Sequence, residues 1–95
     1  MLFYLPDLTE KGFIETSCKI KDNQFYFVFR WNSYCECCFM KILDSDRNVL
    51  LNDTACTMGL TIRLDERVLP KLELKGGEYP PIRETIKDCY IEWEE

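Results

Sequence analysis

Apolar and polar side chains alternate with a period of two along much of this chain, most clearly between Gln24 and Asp44. Phe25, Phe27, Phe29 and Trp31 fall on every second residue. In a pleated strand that places four aromatics on one face and turns Tyr26, Val28 and Arg30 to the other. Helical spacing would scatter the same aromatics around the axis, and such a run of β-preferring residues favours extended backbone. The preceding segment, Phe13 to Ile20, alternates in the same way, with Ile14, Thr16, Cys18 and Ile20 on the more apolar side. Lys21, Asp22 and Asn23 supply a turn between the two, and Asn32, Ser33 and Tyr34 supply another before Cys37 to Leu43. Links this short predict three consecutive antiparallel strands.

The same reading extends to both ends of the chain. Leu2 to Leu5 is an expected first strand ended by Pro6, with Asp7 to Gly12 as a connection. Asp44 to Asn48 is a turn, after which Val49 to Leu51 resumes a short apolar strand and the pattern weakens from Asn52 to Gly59. Leu60 to Leu64 alternates again. LDERVLPKL has apolar residues at helical spacing, but Pro70 limits it to a single turn. Leu72 and Leu74 predict one more strand before Gly76 and Gly77, EYPPIRE reads as a loop, and Cys89 to Trp93 closes the chain as a strand. About six to eight short strands joined by turns predict an all-β fold, a small antiparallel sandwich or barrel, with Phe27, Phe29, Phe39, Ile42, Ile62 and Ile91 in its core.

Length fits a single domain: 95 residues bury somewhat more than ~60% of the unfolded surface around one core. A formal net charge of −5 works against partners recognised through their phosphates, because that mode needs a basic stripe. The aromatic stripe is therefore expected to be core rather than a platform for single-stranded nucleic acid, whose stacking surfaces come with basic funnels. The first residues are too short and too polar after Leu5 for an export signal or a membrane span, so the chain is expected in the cytosol when made. In that compartment its six cysteines are expected to stay reduced and pack as small hydrophobes.

There is no histidine, which removes the commonest general base and metal ligand together with every Ser-His or Cys-His nucleophile. Carboxylate pairs such as Asp44 with Asp46, Asp65 with Glu66, or Glu92 with Glu94 sit at turns and strand ends, where acids are ordinarily just solvated. The cluster at Cys35, Cys37 and Cys38 invites a zinc reading. On a strand, however, Cys35 and Cys37 share one face and Cys38 the other, and further ligands would have to come from Cys18, Cys56 or Cys89. No catalytic residue, cofactor or metal ligand is expected.

Several of these segments in succession resemble the baseplate plug-like family, small all-β proteins of contractile phage tails and phage-tail-like particles. They are an early strand, a turn with Asn23 and Gln24, the aromatic strand ending in Arg30, Trp31 and Asn32, and CCFMKILD with the turn after it. A Leu-rich strand, the Gly59-Leu60 step, a Pro-rich loop and a terminal aromatic strand complete the match, which runs from about Phe13 to Trp93. The resemblance implies a structural, non-enzymatic role. The subunit would sit in the baseplate hub, help to close the distal end of the tail tube, and contact hub, spike and tube proteins as part of a symmetric oligomer. It would be made in the host cytoplasm and carried in the finished particle. The face bearing Tyr26, Val28 and Arg30, with Trp31 and Asn32 at its turn, is the expected interface. An independent adaptor or inhibitor module, and a nucleic-acid-binding barrel, are the alternatives.

Overall fold

The computed structural model describes residues 1–57, 59–64, 67, 69–77 and 82–94. Among them eight strands form two antiparallel four-stranded sheets. The strands are β1 (Leu2–Tyr4), β2 (Phe13–Ile20), β3 (Asn23–Asn32), β4 (Cys37–Leu43), β5 (Val49–Ala55), β6 (Thr61–Ile62), β7 (Leu72–Gly76) and β8 (Cys89–Glu92). One sheet is the meander β2-β3-β4-β5, and the other has the order β1-β8-β7-β6. The all-β expectation holds, and the two layers face each other as a sandwich. Asp65, Glu66 and Val68 of the expected helical turn, the Asp65-Glu66 pair, and Glu78 to Pro81 of the expected loop lie outside the described residues.

Hairpin chemistry sets the meander. Ile20 pairs with Asn23, and the two residues between them, Lys21 and Asp22, both have positive φ, at 51° and 64°. That is a primed two-residue turn, the kind whose twist matches the flanking strands. Neither residue is the glycine or asparagine such a turn prefers. Replacing the pair with Asn-Gly (Lys21→Asn with Asp22→Gly) relieves a left-handed backbone that costs L-residues roughly 1–2 kcal/mol each. We expect the urea midpoint to rise by the equivalent of about 1 kcal/mol, and an unchanged or lower midpoint would count against this turn type. At the next corner Asn32 Oδ1 accepts from the backbone N–H groups of Tyr34 and Cys35 at 2.9 and 3.1 Å. After β4, Asp44 Oδ1 accepts from the N–H groups of Asp46 and Asn48, both at 2.9 Å. These bonds hold the Asp44 carboxyl below its ordinary range, the Asn48 backbone bond first among the causes.

The core lies between the sheets. Phe25, Phe27 and Phe29 of β3 are buried, as are Cys38, Met40 and Ile42 of β4 and Leu72, Leu74 and Ile91 of the opposite sheet. Phe3 on β1 reaches across the layers to meet Phe27 edge-on at 4.9 Å between ring centroids, and it also contacts Phe29 and Trp93. Each fully buried side chain of this size contributes about 1.5–3 kcal/mol.

Three expectations need correction. Phe39 is not in the core: it pairs with Arg30 and is half-buried on the outside of the sheet, because inward positions on β4 are the even-numbered ones. Strand β5 does not end at Leu51 but continues to Ala55, with irregular register opposite Met40 to Leu43. Of Leu60 to Leu64 only Thr61 and Ile62 are ladder residues. A single 3-10 turn at Ile86–Asp88, which the apolar pattern did not indicate, buries Ile86 ahead of β8.

Candidate protein-contact face

The outer face of the β2-β3-β4-β5 sheet follows from register. Residues directly opposite each other in an antiparallel ladder share a face, so three rows cross the sheet. Phe13, Arg30, Phe39 and Ala55 form one, Glu15, Val28 and Lys41 the second, and Ser17, Tyr26, Leu43 and Val49 the third. Apolar side chains stand at two opposite corners: Phe13 is 59% exposed and Val49 54%.

Two arginines arch over this face. The Arg30 guanidinium lies 5.4 Å from the centroid of the Phe39 ring, and its Nη2 donates to Asp53 Oδ2 at 3.2 Å. Arg47, in the β4–β5 turn at a positive φ of 69°, lies 4.3 Å over the Tyr26 ring. It reaches Glu15 with both nitrogens, Nη1 to Oε1 at 2.5 Å and Nη2 to Oε2 at 3.1 Å. The bidentate fork matches carboxylate geometry, and the Arg47 hydrogen bond holds the Glu15 carboxyl below its ordinary range. Both ion pairs are exposed, so solvent screens them and they contribute little to stability. The result is a face on which flat aromatic and guanidinium groups alternate, the composition that protein-binding surfaces favour.

The five residues expected at the interface divide between two roles. Tyr26, Val28 and Arg30 lie on the outer face, as their parity requires. Trp31 has the parity of Phe29 and packs half-buried against the core, and Asn32 is occupied in holding the β3–β4 turn. Phe13, Phe39, Arg47 and Asp53 belong to the face and were not anticipated. Parity along β2 and β4 carried a signal for the two phenylalanines. For Arg47 and Asp53 there was none, because their partners lie 32 and 23 residues away in sequence.

The buried thiols sit elsewhere, and only half-buried Cys37, paired with Asn32, has the parity of the outer face. Cys38 and Cys56 are neighbours across the β4–β5 edge, the Cys56 N–H donating to the Cys38 carbonyl at 2.8 Å. Both are buried, as is Cys89 at the start of β8. A hydrogen bond between the Cys38 and Cys56 thiols holds Cys38 down and pushes Cys56 up, while burial pushes Cys89 and Cys37 up. Raised thiols are poor nucleophiles and poor ligands, and no group of three or more cysteines, aspartates or glutamates among the described residues is placed to hold a metal ion.

A depression of about 580 Å³ lies on the outer side of the other sheet, between Lys71, Glu73, Lys75 and Glu92. Its charges neutralise one another: Lys75 Nζ meets Glu92 at 2.6 Å and Lys71 Nζ meets Glu73 at 3.0 Å. Lys71 is the main cause of a Glu73 carboxyl below its ordinary range, and Glu92 is the main cause of a Lys75 ammonium above its own. These shifts stabilise the charged forms rather than poise a group to exchange protons near neutrality.

The fold and this face define a small β-sandwich with an aromatic- and arginine-bearing sheet surface. No protein-family model, curated protein or solved structure matches the chain. Among the described residues no helix is long and apolar enough to cross a membrane.

Proposed function

We propose that this chain is a structural subunit that works by protein–protein contact, and that its place is the one its resemblance to the baseplate plug-like family implies. In that reading it sits in the hub of a contractile phage tail or tail-like particle and helps to close the distal end of the tube. The observation that supports it best is the outer face of the β2-β3-β4-β5 sheet. There Tyr26 and Phe39 lie under guanidinium groups fixed by Glu15 and Asp53, and Phe13 and Val49 stand exposed at the corners. Tyrosine, phenylalanine and arginine presented on a sheet suit the desolvated centre of an interface. The same arrangement disfavours the nucleic-acid alternative, since both arginines of the face are already matched by carboxylates and the chain is acidic overall.

The reading is tested by incorporation. A chain carrying Tyr26→Ala and Arg30→Glu, both at the surface, is expected to keep its circular dichroism and melting behaviour. Its recovery in particles assembled in a strain lacking the wild-type chain is expected to fall at least tenfold. Recovery equal to wild type would show that this face is not the contact, and a normal monomeric protein acting outside any particle would favour the independent adaptor.

A further inference from the structure

We propose that β2 is a dimerisation edge, along which two copies of this chain pair antiparallel about Ser17 to make one continuous eight-stranded sheet. This goes beyond the baseplate reading and does not depend on it. Of the four edge strands, β1 and β6 have three and two residues, and β5 is interrupted by register shifts and carries Asn52 and Asp53. All three are protected in the ways that natural edges usually are, by shortness, bulges or polar and charged residues. Strand β2 is neither short nor bulged, and its two charges, Glu15 and Lys19, are of opposite sign, so they do not repel an antiparallel copy of the same strand. It runs for eight residues without proline or bulge, in register with β3 throughout.

The ladder fixes which backbone groups are open. Trp31 N–H donates to the Gly12 carbonyl at 2.8 Å, and in the same register the even-numbered residues of β2 bond to β3. The N–H and C=O groups of Phe13, Glu15, Ser17 and Lys19 therefore point away from the sheet, and no backbone partner meets them among the described residues. An antiparallel copy must present its own odd-numbered residues to these groups.

Charge selects the register. With Ser17 opposite Ser17 of the second copy, Glu15 stands opposite Lys19 of the second copy and Lys19 opposite its Glu15, so a strand that is neutral within an acidic chain meets itself with two ion pairs. Cross-strand opposite charges are favourable and like charges are not. Glu15 keeps Arg47, because a carboxylate has about four lone-pair sites and the fork uses one side. On the inward side Ile14 meets Ile20 and Thr16 meets Cys18, continuing the apolar layer across the axis. Shifting the copy one step either way sets Glu15 against Ser17, or against Lys21, which is in the turn at a φ of 51° and cannot join a ladder. The interface is small, and a dissociation constant on the order of 10–100 μM is expected.

Sedimentation equilibrium on the whole chain tests this. Wild type is expected to move from 11.4 kDa toward twice that mass as concentration rises. Lys19→Glu leaves the Arg47–Glu15 pair in place, sets like charges opposite each other twice, and is expected to weaken association at least tenfold, as is Glu15→Lys. An equimolar mixture of the two single variants restores opposite charges at both positions and is expected to dimerise like wild type, a rescue that a loss of folding could not produce. Thr16→Cys is expected to give a diamide-induced disulfide-linked dimer that Cys18→Ser abolishes. A wild-type monomer at about 1 mM, well above the expected constant, would overturn the proposal. So would Lys19→Glu associating as wild type, a mixture that stays monomeric, or wild type cross-linked through its own Cys18.

Discussion

Replacing Phe27 with alanine is expected to cost about 3–5 kcal/mol, the range for removing a buried phenyl ring whose surroundings cannot close over the space. Phe27 is fully buried and wedged between Phe3 of the opposite sheet, 4.9 Å away, and Phe29 of its own strand, 6.4 Å away. A domain of this length has a total stability of roughly 5–14 kcal/mol, so the urea midpoint should fall by about a fifth at the least. Phe39→Ala is the informative companion. Its ring lies half-buried on the outer face under Arg30, so its truncation should cost well under half as much. Equal losses from the two variants would reverse the assignment of faces on which the contact surface rests.

Gly76→Ala is the second substitution with a large expected effect. Gly76 has a φ of +78°, a conformation that costs an L-residue roughly 1–2 kcal/mol. A Cβ there would also stand 2.7 Å from Cε1 of Tyr90 and 3.0 Å from the carbonyl oxygen of Asp88. Tyr90 could rotate, but the backbone carbonyl cannot withdraw without shifting the start of β8. With crowding added, the loss is expected at about 2–4 kcal/mol. Gly59 separates the two causes: its φ is +83°, yet nothing lies within 4 Å of the place a Cβ would occupy. Gly59→Ala should therefore show the backbone cost alone, and denaturant melts of the two variants side by side would measure the difference.

What the sequence made legible was local. The period-two pattern and short polar links of Phe13 to Leu43 were enough to lay out β2, β3 and β4 in order and to place Tyr26, Val28 and Arg30 on a common face. Parity also held information that an eye for large apolar residues passes over. Phe39 and Ile42 cannot share a face on a regular strand, and Trp31 had to follow Phe29 inward. The extension of β5 was hidden because Asn52, Asp53 and Thr54 are polar, as residues on an edge strand are free to be. The strands of the second sheet left local traces at Leu2 to Leu5, Leu60 to Leu64, Leu72 with Leu74, and Cys89 to Trp93, but their pairing left none. That sheet's assembly depends on Leu2 to Tyr4 pairing with Tyr90 to Glu92 at the far end of the chain, and no window of sequence contains both. The arginine arches were hidden for the same reason, since each joins side chains that only the finished sheet brings together.

As a structural subunit held in a larger assembly by its sheet surface, the role proposed above, the chain would travel with purified particles. Quantitative mass spectrometry of contractile tail particles purified from the host that encodes it tests this most directly. The chain is expected at a fixed ratio to the hub protein, retained through salt and density-gradient purification. Particles free of the chain, with all of it recovered in the soluble lysate, would contradict it.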